Sequence, residues 1–230
     1  MTITFRNAAT AGGSSGGNLT INKPTGVVDN DMMEVVLYSE FSSTAWTLPT
    51  GWAWRVSSTG QADRLGVMWV FIAYKRASGE GASYVFTHGG TAWRSGTISA
   101  YISVITSGDP EDSTGPTGRS STTSSWEPIA TGITTSTNND MAIFVSGNYG
   151  GSTFGVGASG YTLAGQIGGT GIMHKLYASA GATGDITGDN TSNDDKWATW
   201  HYALKEASAA LTFLPKTRSL QQAVNRASNY

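Results

Sequence analysis

The longest apolar run in the chain spans residues 64–77 (RLGVMWVFIAYKRA) and dominates the predicted architecture. Nearly every residue from Leu65 to Tyr74 is apolar, and most are β-branched or aromatic, which favours a strand over a helix. Because a half-buried strand would alternate polar and apolar residues, the continuous pattern predicts a central strand buried on both faces. Charged residues flank the run too closely for a membrane span.

Further strands are predicted on both sides of this run, between turns rich in Gly, Pro, Asn and Asp. They cover residues 2–6, 32–41, 52–56, 82–87 and 97–105. Residues 107–125 are polar and rich in Gly and Pro. They predict a long loop, and such a loop in a compact domain is usually functional or connects two halves.

After this loop the pattern starts again. Asn-Asp-Met occurs at residues 30–32 and 139–141, and the turn at 49–52 (PTGW) resembles the one at 158–161 (ASGY). The interval along the chain is identical for these two pairs of motifs. Residues 197–204 echo residues 93–102 at a shorter offset. We interpret this as a degenerate internal duplication, with chance similarity between Gly-rich β sequences as the alternative.

The predicted fold is therefore all-β. Residues 1–206 are expected to form a two-sheet sandwich of the jelly-roll kind with about eight main strands, about four from each half. The two pseudo-repeats cover about residues 19–106 and 129–206, and the segment 107–128 links them.

Residues 207–230 depart from the strand pattern and predict a C-terminal arm. Ser219 followed by Gln222 forms a capping box, and apolar residues at helical spacing predict a short helix after it. A helix this short is unstable alone in water, so we expect it to dock on its own sandwich or on a neighbouring chain; a frayed tail is the alternative. The candidate partner-binding residues are Leu211, Phe213, Leu214, Leu220 and Val224.

Composition narrows the classes of function. Only 13% of the residues are charged and 30 are glycine, which is typical of a many-turned β protein. The net charge of −2 and the lack of a Lys/Arg stripe predict no binding to nucleic acid. The chain has no cysteine, which excludes disulfides, a thiolate nucleophile and Cys-based zinc sites. The N-terminal residues lack a signal-peptide pattern, so we expect synthesis in a cytoplasm and no cleaved leader.

The sequence contains no recognisable catalytic or phosphate-binding motif. His88, His174 and His201 fall in separate predicted strands, and no pair of carboxylates with glycosidase spacing can be placed. Ca²⁺ ligand types occur in two loops, although not at EF-hand spacing. These loops contain Asp109, Glu111 and Asp112, and Asp185, Asp189, Asp194 and Asp195. Solvated turns explain these acidic residues, so no catalytic residue, metal or cofactor is predicted.

Eight tryptophans make sugar binding a hypothesis, because flat aromatic rings can stack on sugars. Most Trp side chains in such a domain are packed. Trp126 follows the polar loop and precedes Glu127 and Pro128, so it is the candidate glycan contact.

A series of short motifs resembles a group of β-sandwich proteins encoded among the structural genes of tailed bacteriophages and prophages. The motifs are Asn30-Asp31, Pro49-Thr50-Gly51-Trp52, Tyr74-Lys75-Arg76-Ala77, Tyr84-Val85-Phe86-Thr87 and Ala100-Tyr101. Together they cover roughly residues 19–206. The resemblance implies no catalytic residues; it implies a virion component, either a capsid decoration (cement) protein or a tail or fibre part.

Two functions follow as expectations. In the first, the protein is a non-enzymatic decoration protein in the virion, assembled in the host cytoplasm. Its partners would be itself, as a homotrimer, and other virion proteins such as the major capsid protein, without nucleic acid or membrane. In the second, it is a tail-associated adhesin or carbohydrate-binding module that recognises a host-surface glycan.

Overall fold

The computed structural model describes residues 1–13, 17–55, 60–62, 66–90, 93–119, 127–149, 154–155, 160–190 and 196–207, with backbone only at 154–155 and 189–190. Within these ranges the chain forms twenty-one β-strands and no α-helix. The prediction of an all-β sandwich is confirmed. The predicted arm helix, from Ser219 onward, lies outside the described residues.

The strands divide between an N-terminal and a C-terminal half. The first half contains β1 (Thr4–Gly13), β2 (Asn18–Asn22), β3 (Met32–Glu40), β4 (Trp46–Thr47), β5 (Ala53–Trp54), β6 (Gln61–Ala62), β7 (Met68–Arg76), β8 (Ser83–His88) and β9 (Arg94–Ile102). The second contains β10 (Glu111–Thr114), β11 (Gly118–Arg119), β12 (Ile129–Ala130), β13 (Thr134–Thr135), β14 (Asp140–Asn148), β15 (Phe154–Gly155), β16 (Thr162–Ile167), β17 (Thr170–Tyr177), β18 (Gly181–Ala182), β19 (Ile186–Thr187), β20 (Asp189–Asn190) and β21 (Trp197–Leu204).

Two antiparallel six-stranded sheets form the middle of the molecule. Sheet I has the order β1-β9-β3-β7-β5, with β6 also paired to β7, and sheet II has the order β10-β21-β14-β17-β16, with β11 also paired to β21. In each sheet the first strand of the half lies at the edge and pairs with the last strand, which pairs in turn with the strand at the middle of the sheet. These three strands are β1, β9 and β3 in sheet I and β10, β21 and β14 in sheet II. Each half thus repeats the same strand order, which supports the predicted duplication.

Local backbone features repeat in the same way. Asn30 and Asn139, which precede the two central strands, both adopt positive φ, at 73° and 60°. Gly51 and Gly160 also adopt positive φ, at 85° and 71°, and the interval within each pair is that of the repeated sequence motifs. The outer strands β1 and β10 each carry a register shift near their N-terminal ends.

Short outer strands cover the two central sheets. The three-stranded sheet β2-β8-β4 covers sheet I, and the two-stranded ladder β12-β19 lies over sheet II. One apolar core lies beneath each outer layer, and the largest core joins sheets I and II face to face. Alternate residues of β3 show this double burial, because Met33 and Val35 face the first outer layer while Met32 and Val36 face sheet II.

The number of layers differs from the expected two. The predicted central strand, β7, is indeed buried on both faces. Val70 and Ile72 lie in the core between sheets I and II, and Phe71 and Ala73 lie in the core beneath the sheet β2-β8-β4. A sheet of a two-layer sandwich buries only one face, so a strand that is apolar throughout requires a layer on each side. Each half supplies its own outer layer, and the two halves cover one another.

The structure also corrects the prediction that residues 107–125 form a loop. Its described part contains β10 and β11, which both pair with β21 at the edge of sheet II. Sequence periodicity missed these strands because they are short, polar edge strands held by backbone hydrogen bonds rather than by an apolar face.

Candidate functional site

A buried ionic cluster lies at the junction between sheets I and II. The Arg55 guanidinium donates to Glu34 at 2.9 Å and to Glu111 at 2.9 Å, and the Tyr202 hydroxyl donates to Glu34 at 3.1 Å. Glu34 is fully buried, and only 3% of the Arg55 side chain is exposed. Arg55 also lies over the Tyr74 and Tyr202 rings, with its guanidinium carbon 4.5 and 4.7 Å from their centroids.

The pKa shifts of Glu34 and Arg55 indicate the role of this ionic cluster. Burial raises the pKa of Glu34, and Arg55 and Tyr202 partly oppose that shift. Burial by itself would lower the pKa of Arg55, but Glu34, Tyr202 and Glu111 together raise it above its ordinary value. Glu34 and Arg55 come from the first half, and Glu111 and Tyr202 from the second. The cluster therefore joins the two halves, and the charges of Glu34 and Arg55 are enclosed rather than presented to a ligand.

The three histidines lie in separate places; His88 and His201 are buried and His174 is half-buried. His201 Nδ1 lies 3.2 Å from the Thr131 carbonyl, so Nδ1–H donates there and Nε2 accepts from Tyr161 at 2.8 Å. Burial lowers the pKa of His201 and of His174 to about 4, and His174 stacks on Phe5. These neutral rings are packing elements of the cores.

The acidic loops are tied into turns. Asp109 accepts from the backbone N–H of Glu111 at 3.0 Å, and Asp185 accepts from that of Gly132 at 2.8 Å. In the described part of the chain no group of three or more His, Cys, Asp or Glu residues could hold a metal ion. Asp194 and Asp195 lie outside that part.

The residues predicted to bind a glycan or a partner lie outside the described part of the chain. Trp126 and the arm residues lie outside the described residues; the latter are Leu211, Phe213, Leu214, Leu220 and Val224. Most described tryptophans pack in the cores: Trp46, Trp52, Trp197 and Trp200 are buried, and Trp54 and Trp69 are half-buried. Trp93 differs, since 37% of it is exposed.

Trp93 belongs to a group of aromatic residues at the end of the sheets where β3 and β14 finish. The end-face aromatic cluster is defined as the contacting rings of Phe41 and Tyr149 together with Trp93, whose backbone carbonyl accepts from the N–H of Glu40. Phe41 is 62% exposed, and its ring meets that of Tyr149 edge-on, with centroids 5.5 Å apart. A Cβ on Gly168 would lie 3.0 Å from Trp93 Nε1, so Trp93 packs against the second half. The cluster thus spans both halves.

The backbone holds Phe41 in an unusual conformation. Its φ is 49°, in the left-handed region that bulky residues seldom adopt. Its N–H donates to the Val67 carbonyl at 2.7 Å, and the preceding N–H, of Glu40, donates to the Trp93 carbonyl at 3.1 Å. Backbone strain of this kind tends to occur at functional sites. An exposed aromatic ring held in a strained turn marks this end as the candidate binding site; the sequence signal was only the phenylalanine directly after a strand.

In comparisons with known proteins, no family model, curated protein or solved structure matches this chain significantly. Among the described residues, no helix has the length and apolar character needed to cross a membrane.

Proposed function

We propose that this protein is a non-enzymatic structural component of a tailed-phage particle, a decoration protein that acts through contacts with itself and with other virion proteins. The motif resemblance supplies the class of particle. The motif residues support the fold: Trp52, Tyr84, Phe86 and Ala100 all lie in the first-half core.

The observation that carries the proposal is the outward face of the sheet β2-β8-β4. All side chains of this outer-sheet face are exposed and uncharged: Asn18, Thr20, Asn22, Thr47, Ser83, Val85 and Thr87. Val85, at its centre, is 43% exposed. Cores of protein–protein interfaces are depleted of charged residues, so this uncharged face suits association, including the proposed homotrimer.

Particle association is the test. Phage particles purified from lysates should contain the protein at a fixed ratio to the major capsid protein, measured by quantitative mass spectrometry. A Val85→Lys variant should lose most of its occupancy, because it places a charge in the middle of the outer-sheet face. Thr25→Lys adds the same charge at an exposed turn outside that face and should bind like the wild type. Absence of the protein from particles, or equal occupancy of both variants, would contradict the proposal.

The end-face aromatic cluster favours a second function, recognition of a host-surface glycan by a tail-associated adhesin. Exposed aromatic rings offer a sugar a flat apolar surface, and the hydroxyls of Ser42 and Thr44 lie next in the chain after Phe41, 3.0 Å apart. The Phe41 ring already packs against Tyr149, and a side chain restrained before binding loses less entropy on binding.

Glycan-array binding by the whole chain tests this second function. Phe41→Ala should reduce binding at least about tenfold, the equivalent of about 1.4 kcal/mol. Val28→Ala truncates another exposed apolar residue and serves as the control. No binding by the wild type, or unchanged binding by Phe41→Ala, would rule out this surface.

A further inference from the structure

The register shift in β1 places one charged residue beside the start of the central strand of sheet I. The shift falls between Phe5 and Asn7, and the bulged residue is Arg6. Its guanidinium pairs with Asp31, with Nε 2.5 Å from one carboxylate oxygen and Nη2 donating to the other at 3.1 Å. In the first half, therefore, an ion pair joins the outer strand to the residue before β3.

The second half has the same geometry with a different charge. In β10 the register shift falls between Glu111 and Ser113, so the bulged residue is Asp112. Ser136 and Thr137, which are adjacent in the chain, donate to Asp112 and to Asp140 respectively. They bring the Asp112 carboxyl close to that of Asp140, the counterpart of Asp31 in the repeated Asn-Asp-Met motif, and each carboxyl shifts the pKa of the other. An aspartate thus stands where the first half has an arginine. Two carboxyl groups in such a position can form a hydrogen bond with each other only if one of them carries a proton.

The surroundings hold this pair in place. Thr137 Oγ1 donates to Asp140 at 2.5 Å, and Asp112 accepts from both the backbone N–H and the hydroxyl of Ser136, each at 2.5 Å. Asp140 is fully buried, and its Oδ2 has no donor in the described structure. A proton shared with the Asp112 carboxyl would satisfy that oxygen.

The end of β21 supplies the other charged groups. Lys205 attracts the Asp112 carboxylate and lowers its pKa, and the backbone N–H of Glu206 favours the ionised form of Asp140. The Glu206 carboxylate itself points to Asn139 Nδ2 and to the Met1 amino group, both at 3.0 Å.

The pKa shifts of Asp112 and Asp140 agree with a single proton shared between them. Burial raises the pKa of Asp140 to about 6, and the Asp112 carboxylate adds to that shift against the opposing bond from Thr137. Burial by itself would raise the pKa of Asp112, but the bonds from Ser136 lower it on balance.

We propose that Asp112 and Asp140 form a proton-dependent latch, in which one shared proton joins β10 to the start of β14 and loss of that proton loosens the edge of sheet II. Ionisation leaves two carboxylates close together, Asp140 buried and Asp112 half-buried, and such like charges repel each other. The strain falls on β10 and on the end of β21, where Glu206 bridges to Val104 and the Ala207 N–H donates to Ser103 at 2.7 Å.

The direction of the pH effect follows from linkage. Because the pKa of Asp140 is raised on folding, the folded protein binds this proton more tightly than the unfolded chain does. The stabilisation is complete below the ordinary carboxyl pKa and is lost as the pH rises through about 6. The latch is closed in mild acid and open in mild alkali.

Hydrogen exchange of the intact protein, corrected for intrinsic rates, tests the latch at about pH 5 and about pH 7.5. In the wild type we expect β10 amides to exchange about tenfold faster at the higher pH, the ratio that one pKa unit corresponds to. Asp112→Arg recreates the ion pair of the first half and should abolish this change. Asp31→Asn, the matched control, weakens the first-half pair and should leave the change in β10 unaltered. Equal protection of β10 at both pH values in the wild type overturns the proposal.

If Asp112→Arg does not fold, titration of Asp140 in the wild type tests the proposal directly. Carboxyl ¹³C NMR of the wild type, with Asp140→Asn used to assign the signal, should show Asp140 titrating near pH 6. Titration at the ordinary aspartate value, about 3.9, overturns the proposal.

Discussion

Replacing Arg55 with methionine should lower the free energy of unfolding by about 3–5 kcal/mol, the usual result of removing one partner from a buried ion pair. The substitution keeps the apolar stem but leaves the fully buried Glu34 carboxylate without its cation and Glu111 without its donor. Because Arg55 opposes the burial-driven rise of the Glu34 pKa, its loss raises that pKa further. The destabilisation should therefore grow as the pH rises.

Urea denaturation followed by tryptophan fluorescence measures this effect. Arg76→Met is the matched control, because Arg76 donates mainly to backbone carbonyls such as that of Asn30, at 2.8 Å, and we expect it to cost only about 1 kcal/mol. The double variant Arg55→Met with Glu34→Leu should recover much of the loss, since no buried charge then stands alone at Glu34. A loss for Arg55→Met no larger than for Arg76→Met would show that the ionic cluster does not hold the halves together.

Gly147→Ala should destabilise the protein by about 1–3 kcal/mol through overpacking at the junction. A Cβ at this position would lie 2.2 Å from Val70 Cγ2 and 2.9 Å from Met68 Cε. Val70 is β-branched and lies in a central strand, so its side chain has little freedom to move. Gly147 occupies the position in β14 that Tyr38 occupies in β3. In the fold these two counterparts lie against one another, so the Tyr38 ring occupies space next to Gly147, which has no side chain.

Compensation distinguishes overpacking from a backbone effect. Adding Val70→Ala to Gly147→Ala removes the clashing methyl groups, so the double variant should be more stable than the sum of the two single changes predicts. Gly13→Ala, with nothing within 4 Å of its added Cβ, should stay within about 0.5 kcal/mol of the wild type. Additive losses in the double variant would contradict the packing explanation.

Much of the fold was predictable because local patterns report local constraints. The run at 64–77 identified β7 and its burial on both faces, and the recurring Asn-Asp-Met and turn motifs located the starts of β3 and β14. The short strands β10 and β11 were missed because polar edge strands carry no apolar signal. For a binding site, the position of Trp126 after the polar loop suggested that residue, which lies outside the described part of the chain. The structure exposes Phe41 and Trp93, which the sequence did not single out, since exposure depends on which neighbours cover a side chain.

The sequence by itself determined the strand content, the doubly buried central strands and the matching landmarks of the two halves, because these depend on side-chain type and spacing. Only the tertiary structure decided that each half carries its own outer layer and that sheets I and II face one another. It also decided that Arg55 reaches Glu34 and Glu111, and that Asp112 opposes Asp140. These pairs join residues far apart in the chain, and their chemistry arises from burial and distance, which no linear pattern contains.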